Sequence, residues 1–218
     1  MPFESVRKRA DADFPTRWGQ FRILGFEGVL SKPGPCNDAL PPPDRNIETA
    51  VALVMGEVAT GEPPIVRIHS QCLTGDVFHS LRCDCRQQLE LALATIAGAG
   101  RGILLYENQE GRGIGLMAKL QAYELQDRGL DTVEANLELG FKADCREYEL
   151  PAQILLSLGV RSVRLITNNP EKVAALEAAG IRVIERISAE VEPQDTFREY
   201  LKVKREKLGH LSDGVSSR

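Results

Sequence analysis

Apolar and polar positions along the chain switch between two periods, and the switching places most of the secondary structure. Pro64-Ile-Val-Arg-Ile-His69 is a β-branched run that reads as a strand. From Arg86 to Ala97 the apolar residues fall at Leu89, Leu93 and Ile96, the spacing of one helix face, and Gly100 stops that helix. Ile103–Tyr106 is a short apolar run bounded by glycine, the pattern of a buried strand. Helical stretches follow at Leu116–Arg128, ending at Gly129, and at Glu147–Leu158, ending at Gly159. Val163–Thr167 reads as a strand. Pro170–Ala179 is a helix with proline in its first turn, Asn169 as its N-cap and Gly180 as its stop. Ile181–Ile187 is a further strand and Thr196–Leu208 a last helix. Nearer the start, Phe21–Phe26 and Thr49–Val58 are strand-like.

Strands alternating with helices from about residue 64 argue for an α/β layered sheet. In such sheets ligands sit beyond the carboxyl ends of strands, here the loops after Tyr106 and Ile166. Both loops carry charged or amide side chains where bland turn residues would suffice. The charge of residues 1–15 reads as a loose, flexible segment. Residues 31–46, with five prolines, read as a loop insertion, and residues 212–218 as a disordered tail. One domain over 16–211 remains.

Composition narrows the class. The chain has 218 residues, 43% hydrophobic and 27% charged, which is ordinary for a globular protein with a sizeable core. Its formal net charge of -4 does not advertise nucleic acid, so a polyanion site would have to be a local basic pocket. No apolar run near the start suits a signal peptide, and no stretch approaches the roughly 20 apolar residues of a membrane helix. A cytoplasmic setting is expected, where thiols stay reduced. Five cysteines are an odd number for a complete set of disulfides, and three of them cluster.

That cluster, Cys72-x10-Cys83-x-Cys85, is the sharpest chemical signal. Three thiolates can close on one Zn²⁺ and leave the fourth tetrahedral position to water, as catalytic sites do. A closed structural site with His69, His79 or Asp84 as fourth ligand, no metal at all, or a redox pair at Cys83-Asp84-Cys85 are the alternatives. Cys36 and Cys145 read as bystanders.

Three further motifs point to an anion. In Gln109-Glu-Gly-Arg-Gly-Ile-Gly115, glycines allow close backbone approach to phosphate, and Arg112 offers a bidentate fork. A simple glycine-rich turn is the alternative. Asp144-Cys-Arg146 pairs a proton acceptor with a phosphate partner, or is only an exposed ion pair capping the next helix. Thr167-Asn-Asn-Pro-Glu-Lys172 ends a strand and opens a helix. Arg67, Arg82, Arg112, Arg146 and Lys172 all lie in or beside these motifs, which favours a small polyanion such as a nucleoside triphosphate over scattered surface charge.

Read together, the segments resemble GTP cyclohydrolase II. They are Val66–Asp76, Leu81–Cys85, Gly102–Tyr106, Gln109–Gly115, Ala122–Asp127, Asp131–Asn136, Leu139–Phe141, Asp144–Arg146, Leu165–Pro170 and Lys207–His210, in family order. The resemblance implies a three-layer αβα fold around a mixed sheet, and a homodimer. It implies hydrolysis of GTP to 2,5-diamino-6-ribosylamino-4(3H)-pyrimidinone 5′-phosphate, formate and pyrophosphate, the first step of riboflavin biosynthesis. Cys72, Cys83 and Cys85 would hold Zn²⁺, and Mg²⁺ would shield the phosphates. Arg146 occupies the family's nucleophile position, Asp144 that of the proton acceptor, and Tyr123 an active-site tyrosine. GTP contacts would come from Arg67, Ile68, His69, Ser70 and Gln71, from Gln88, from Glu110, Gly111 and Arg112, and from Thr132, Thr167 and Lys172. Glu110 or Gln88 would read guanine. An always-protonated guanidinium makes an electrostatic role for Arg146 equally suited to its chemistry. Gln71 stands where the family usually has glutamate, and an amide cannot act as a base. No dihydroxybutanone-phosphate synthase domain precedes the matched region, so a stand-alone enzyme is expected. A non-catalytic GTP-binding relative with structural zinc is the alternative.

Overall fold

A computed structural model describes residues 3–31, 47–192 and 195–211. Seven strands form one mixed sheet: β1 (Phe3–Thr16), β2 (Gly19–Leu30), β3 (Ile47–Met55), β4 (Ile65–Ser70), β5 (Gly102–Glu107), β6 (Ser162–Ile166) and β7 (Arg182–Ile187). Their order is β1-β2-β3-β5-β4-β6-β7. The β1–β2, β2–β3 and β3–β5 pairs are antiparallel, and the remaining pairs are parallel. The helices are α1 (Leu73–Asp76), α2 (Cys85–Ala99), α3 (Leu116–Asp127), α4 (Thr132–Glu138), α5 (Glu149–Ser157), α6 (Pro170–Ala178) and α7 (Arg198–Leu208).

Helices cover both faces of the sheet. On one face Ala92, Leu93 and Ile96 of α2 pack on Ile65, Leu104 and Ile166. On the other, Leu150, Ile154 and Leu155 of α5 and Leu176 of α6 pack on Val66, Ile68, Ile103, Leu105 and Leu165. Alternate residues of β4, β5 and β6 thus serve opposite cores, which is why these strands read as unbroken apolar runs. The expected mixed α/β sheet is present.

Among the elements that differ from the sequence reading are β1 and α4. The N-terminal stretch, expected to be loose, is strand over Phe3–Thr16 and pairs with β2 along its length. Its side chains are mostly exposed, and ion pairs across the hairpin (Arg9 with Glu27, Arg22 with Asp11) stand where apolar contacts usually do. Charge therefore hid a strand that backbone pairing forms. Helix α4 follows the capping box Asp131-x-x-Glu134, in which Asp131 accepts from the backbone of Val133 and Glu134. Of the proline-rich loop, residues 32–46 lie outside the described residues, as does the tail 212–218.

The site is positioned by a parting of strands. β4 and β6 are in register only at Ile65 with Arg164 and Val66 with Leu165, and then diverge. β4 feeds α2 on one face while β6 feeds α6 on the other, so the gap between their carboxyl ends is a topological switch point.

Candidate active site

Where β4 and β6 separate, carbonyls of Ile68 and Ile166 lose a ladder partner. Two buried cations supply it. Lys172, in the first turn of α6, donates Nζ to the Ile68 carbonyl at 2.9 Å, and Arg67 donates to the Ile166 carbonyl at 3.0 Å. Both are buried, with relative exposures of 4% and 6%. Arg112 reaches the same cleft from the glycine-rich turn and donates to the Thr132 hydroxyl at 3.1 Å. Among the described residues no carboxylate lies within ion-pair distance of Arg67, Arg112 or Lys172. Arg67 Nε and one terminal nitrogen of Arg112 are buried without a hydrogen-bond partner. Burial and the neighbouring Arg67 and Arg146 charges hold the Lys172 ammonium well below its ordinary pKa, and burial lowers Arg67 to about 10. Uncompensated buried cations with orphan donors are the physical signature of an anion site.

The turn that carries Arg112 is a backbone outlier. Gly111 and Arg112 have φ of 62° and 61°, so two consecutive residues are left-handed. Glycine takes that conformation freely, but for Arg112 it is costly, of order 1–3 kcal/mol. Beside it, a Cβ on Gly113 would meet the Cys145 carbonyl at 3.0 Å. The glycine-rich turn therefore packs its backbone against Cys145, with strain concentrated on its arginine.

Arg146 lies between two lobes of the cleft, of about 680 and 590 Å³. Its Nε donates to Asp144 Oδ1 at 2.9 Å and a terminal nitrogen to Oδ2 at 2.5 Å. The pair is mostly buried, not an exposed surface bridge, and it does not cap a helix, since α5 begins at Glu149 after Tyr148. Burial alone would raise the Asp144 pKa, but the Arg146 charge and hydrogen bonds hold it below its ordinary value. Burial would lower Arg146, and Tyr148 and Asp144 more than reverse that. The guanidinium therefore stays protonated.

The second lobe holds the cysteines. Cys72, at the end of the loop after β4, Cys83 and Cys85 are free thiols whose sulfurs all lie within 4.8 Å of one another. Cys72 and Cys83 sulfurs are 3.8 Å apart. Two sulfurs on a tetrahedral ion at about 2.3 Å each stand about 3.8 Å apart, so the spacing fits zinc. Gly75 of α1 roofs the group: a Cβ there would lie 2.9 Å from the Cys83 sulfur and 3.1 Å from that of Cys72. Among the described residues no histidine, aspartate or glutamate joins the three sulfurs. His69 turns its Nε2 to Asp76 at 3.1 Å, His79 is exposed, and Asp84 binds Lys204 at 2.8 Å and accepts from Gln88 at 2.5 Å. Without metal the three thiols share charge unequally. Hydrogen bonds from Cys83 and Cys85, with Lys119 nearby, pull Cys72 far down, and the Cys72 thiolate pushes Cys83 up to about 11 and raises Cys85. A dication would relieve that conflict.

Neighbouring groups brace this loop. Asp76 accepts from the Cys72 backbone N–H at 3.0 Å and the Tyr106 hydroxyl at 2.8 Å. Glu110 accepts from the Leu73 N–H at 2.6 Å, from Lys119 at 2.7 Å and from its neighbour Gly111. Its carboxylate is thus occupied by protein donors. Tyr123 hydrogen-bonds the Thr74 hydroxyl at 3.0 Å, and burial raises its pKa, so it is a phenol at neutral pH.

Of the residues singled out from sequence, Gln71, Glu110, Gly111, Thr132 and Tyr123 line the metal lobe with the cysteines, and Ser70 and Cys85 face both lobes. Arg67, His69, Gln88, Thr167 and Lys172 line the other, and Arg112 and Arg146 border both. Ile68 is in neither: its side chain is fully buried core, and only its carbonyl faces the cleft cations. Asp144 stands behind Arg146. Sequence reading missed Lys119, which donates to the Cys72 sulfur at 3.1 Å, and Tyr200, Lys204 and His210, which line the cationic lobe. The available signal was spacing: Lys119 with Tyr123, and Tyr200 with Lys204, are i,i+4 pairs on one helix face.

The chain is similar to known proteins over most of its length. The riboflavin biosynthesis protein RibBA of Chlorobium phaeovibrioides is 50% identical over 206 residues, 94% of this chain and 47% of that protein. RibBA of Aquifex aeolicus is 50% identical over 207 residues, again 94% of this chain and 47% of the relative. The chain spans about half the length of the curated relatives it matches. A crystal structure of RibBX, a two-domain 3,4-dihydroxy-2-butanone 4-phosphate synthase from A. baumannii, overlays 87% of this chain and 41% of its own at 17% identity and a TM-score of 0.44, too loose to bear on the site. The GTP cyclohydrolase II family model matches residues 7–188, a span that holds the three cysteines, the glycine-rich turn, the Asp144–Arg146 pair and Lys172. With that match over most of its length, the chain belongs to the GTP cyclohydrolase II family.

Proposed function

We propose that this protein hydrolyses GTP to 2,5-diamino-6-ribosylamino-4(3H)-pyrimidinone 5′-phosphate, formate and pyrophosphate, opening riboflavin biosynthesis. The observation that carries the reading is the joining of a three-sulfur group without a fourth protein ligand to a buried cationic lobe through Arg112 and Arg146. A closed structural zinc would need that fourth ligand, and of the candidates His69 and Asp84 are committed elsewhere while His79 is exposed outside the group.

Cys72, Cys83 and Cys85 would hold the ion. When bound, Zn²⁺ supplies Lewis-acid activation of water toward the guanine ring carbon that leaves as formate. Arg67, Arg112 and Lys172 bind the triphosphate, whose charge satisfies the orphan donors of Arg67 and Arg112 and restores the depressed Lys172 ammonium. Mg²⁺ accompanies the phosphates. Arg146, held protonated and oriented by Asp144, offsets charge developing at the α-phosphorus while pyrophosphate leaves, which is electrostatic and not covalent assistance. Asp144 is kept ionised, the state a proton acceptor needs. Tyr123, a neutral phenol beside the metal lobe, can donate a proton during ring opening. Gln71 contributes hydrogen bonding only. Ser70, His69, Gln88, Thr132 and Thr167 shape the two lobes around base, ribose and phosphates.

The reading includes a homodimer in the cytoplasm with no nucleic-acid or membrane partner. No described helix is long and apolar enough to cross a membrane. The test is incubation of zinc-loaded protein with GTP and Mg²⁺, followed by assays for formate and pyrophosphate and mass identification of the pyrimidinone. Both products are expected in equal amounts. Neither appearing would overturn the proposal.

A further inference from the structure

Asp84 sits between two of the cysteines yet turns away from them. It is 1% exposed, and its carboxylate takes Nζ of Lys204 at 2.8 Å on one oxygen and Nε2 of Gln88 at 2.5 Å on the other. Gln88 in turn accepts from Arg67 at 2.6 Å, and Arg67 holds the Ile166 carbonyl. One unbroken path therefore runs from α7 through the Cys83–Cys85 turn to the arginine of the cationic lobe. Lys204 is its terminal charge. It is itself mostly buried, lies 4.4 Å from the Tyr200 ring centroid, and is kept protonated because Asp84 outweighs the effect of burial.

Helix α7 has a second, independent tether. Lys207 pairs with Asp131 and with Glu134, at 3.0 Å for the latter, on the exposed start of α4. After the helix, Leu211 N–H donates to the Asn168 carbonyl at 2.8 Å. Docking of α7 thus does not depend on Lys204 alone. What Lys204 alone does is neutralise a carboxylate buried in the ligand turn.

We infer that Lys204 is a positioning residue for the metal and phosphate sites: its pair with Asp84 fixes the Cys83–Cys85 turn and, through Gln88, the Arg67 side chain. The proposal rests on the reading of the cysteines as a zinc site. Groups that orient ligands from outside the coordination sphere typically matter 10- to 100-fold to metal affinity. An unpaired Asp84 would seek a new partner, and the nearest mobile groups are the turn's own backbone and Gln88.

The experiment measures zinc affinity by chelator competition on Lys204→Met, Lys204→Arg and Lys207→Met, alongside KM and kcat for GTP. Lys204→Met is expected to weaken zinc about 10- to 100-fold and to raise KM. Lys204→Arg retains the charge and is expected to recover most of both. Lys207→Met loosens the same helix without touching the turn and is expected to hold zinc like the parent. Should Lys204→Met fail to fold, the Asp84→Asn/Lys204→Met pair, which leaves no buried carboxylate unpaired, takes its place; with the tether on the turn gone it is expected to bind zinc more weakly than the parent, and parental affinity there would overturn the inference. Parental zinc affinity in Lys204→Met, or an equal loss in Lys207→Met, would overturn the inference. Because zinc affinity is read without substrate, a parent that binds zinc but leaves GTP intact would count against the proposed reaction and not against Lys204.

Discussion

Gly75→Ala is the most direct probe of the metal site, because the structure fixes what the added methyl meets. Gly75 lies in α1 without a left-handed backbone, so alanine is strained there by space alone. Its Cβ would stand 2.9 Å from the Cys83 sulfur, 3.1 Å from the Cys72 sulfur and 3.1 Å from the Cys85 Cβ. Ordinary contact is about 3.5–4.0 Å, so one or more sulfurs must retreat by roughly half an ångström. Metal sites tolerate about 0.2 Å in ligand distance. In the metal-free protein the thiols can rotate away. With metal bound they cannot, and the overpacking cost of about 1–3 kcal/mol falls on the bound state. That converts to about a 5- to 150-fold loss of zinc affinity. The assay is competition with a chromophoric chelator, with thermal unfolding of metal-free parent and variant as control. Metal-free stabilities are expected to stay close together while zinc affinity separates. Parental zinc affinity in Gly75→Ala would mean that the three sulfurs do not close on an ion beneath this residue.

Two other outcomes follow from buried charge. Arg146→Lys keeps the positive charge but loses the fork to Asp144, and kcat/KM for GTP is expected to fall at least about tenfold; intact-protein mass spectrometry of the parent quenched during turnover should show no added nucleotide, and an adduct on Arg146 would refute the electrostatic role. Glu107 is buried with neither carboxylate oxygen partnered, and burial, opposed by Lys172 and aided by Glu48, pushes it up to about 8. Its folded pKa lies above the unfolded one, so it erodes stability as pH rises from about 4.5 to about 8, by at most about 1.4 kcal/mol per unit. Glu107→Met should therefore gain stability over the parent in urea unfolding, with a larger gain at pH 8 than at pH 5; an equal gain at both would refute this assignment.

What the sequence disclosed depended on whether a feature was local. The apolar runs of β4, β5 and β6, the Asn169 cap that accepts from Glu171, and the glycine stops after α2, α3 and α6 are local, and they lie where periodicity and capping chemistry put them. The sulfur cluster was legible because its spacing is short. Features set by distant partners were not. β1 looked loose because its partners are the charges of β2. α7 is so polar that its sequence gives no sign of a buried face, although Tyr200 and Lys204 line the cationic lobe. Asp84 sat in the list of possible ligands until Lys204, 120 residues away, claimed it. Glu110 looked like a base reader, and its carboxylate is taken by three donors from α1, α3 and its own turn.

The parting of β4 and β6 ties evolution of the ligand site to that of the sheet. Lys172 and Arg67 do for Ile68 and Ile166 what a neighbouring strand would otherwise do. A lineage that ceased to bind nucleotides would still need both cations, since losing either strands a buried carbonyl at about 1–3 kcal/mol. Their persistence in a relative is therefore poor testimony that it binds anything. Arg112 is the better witness: it holds only a hydroxyl and strains its own backbone, so selection for stability alone would discard it.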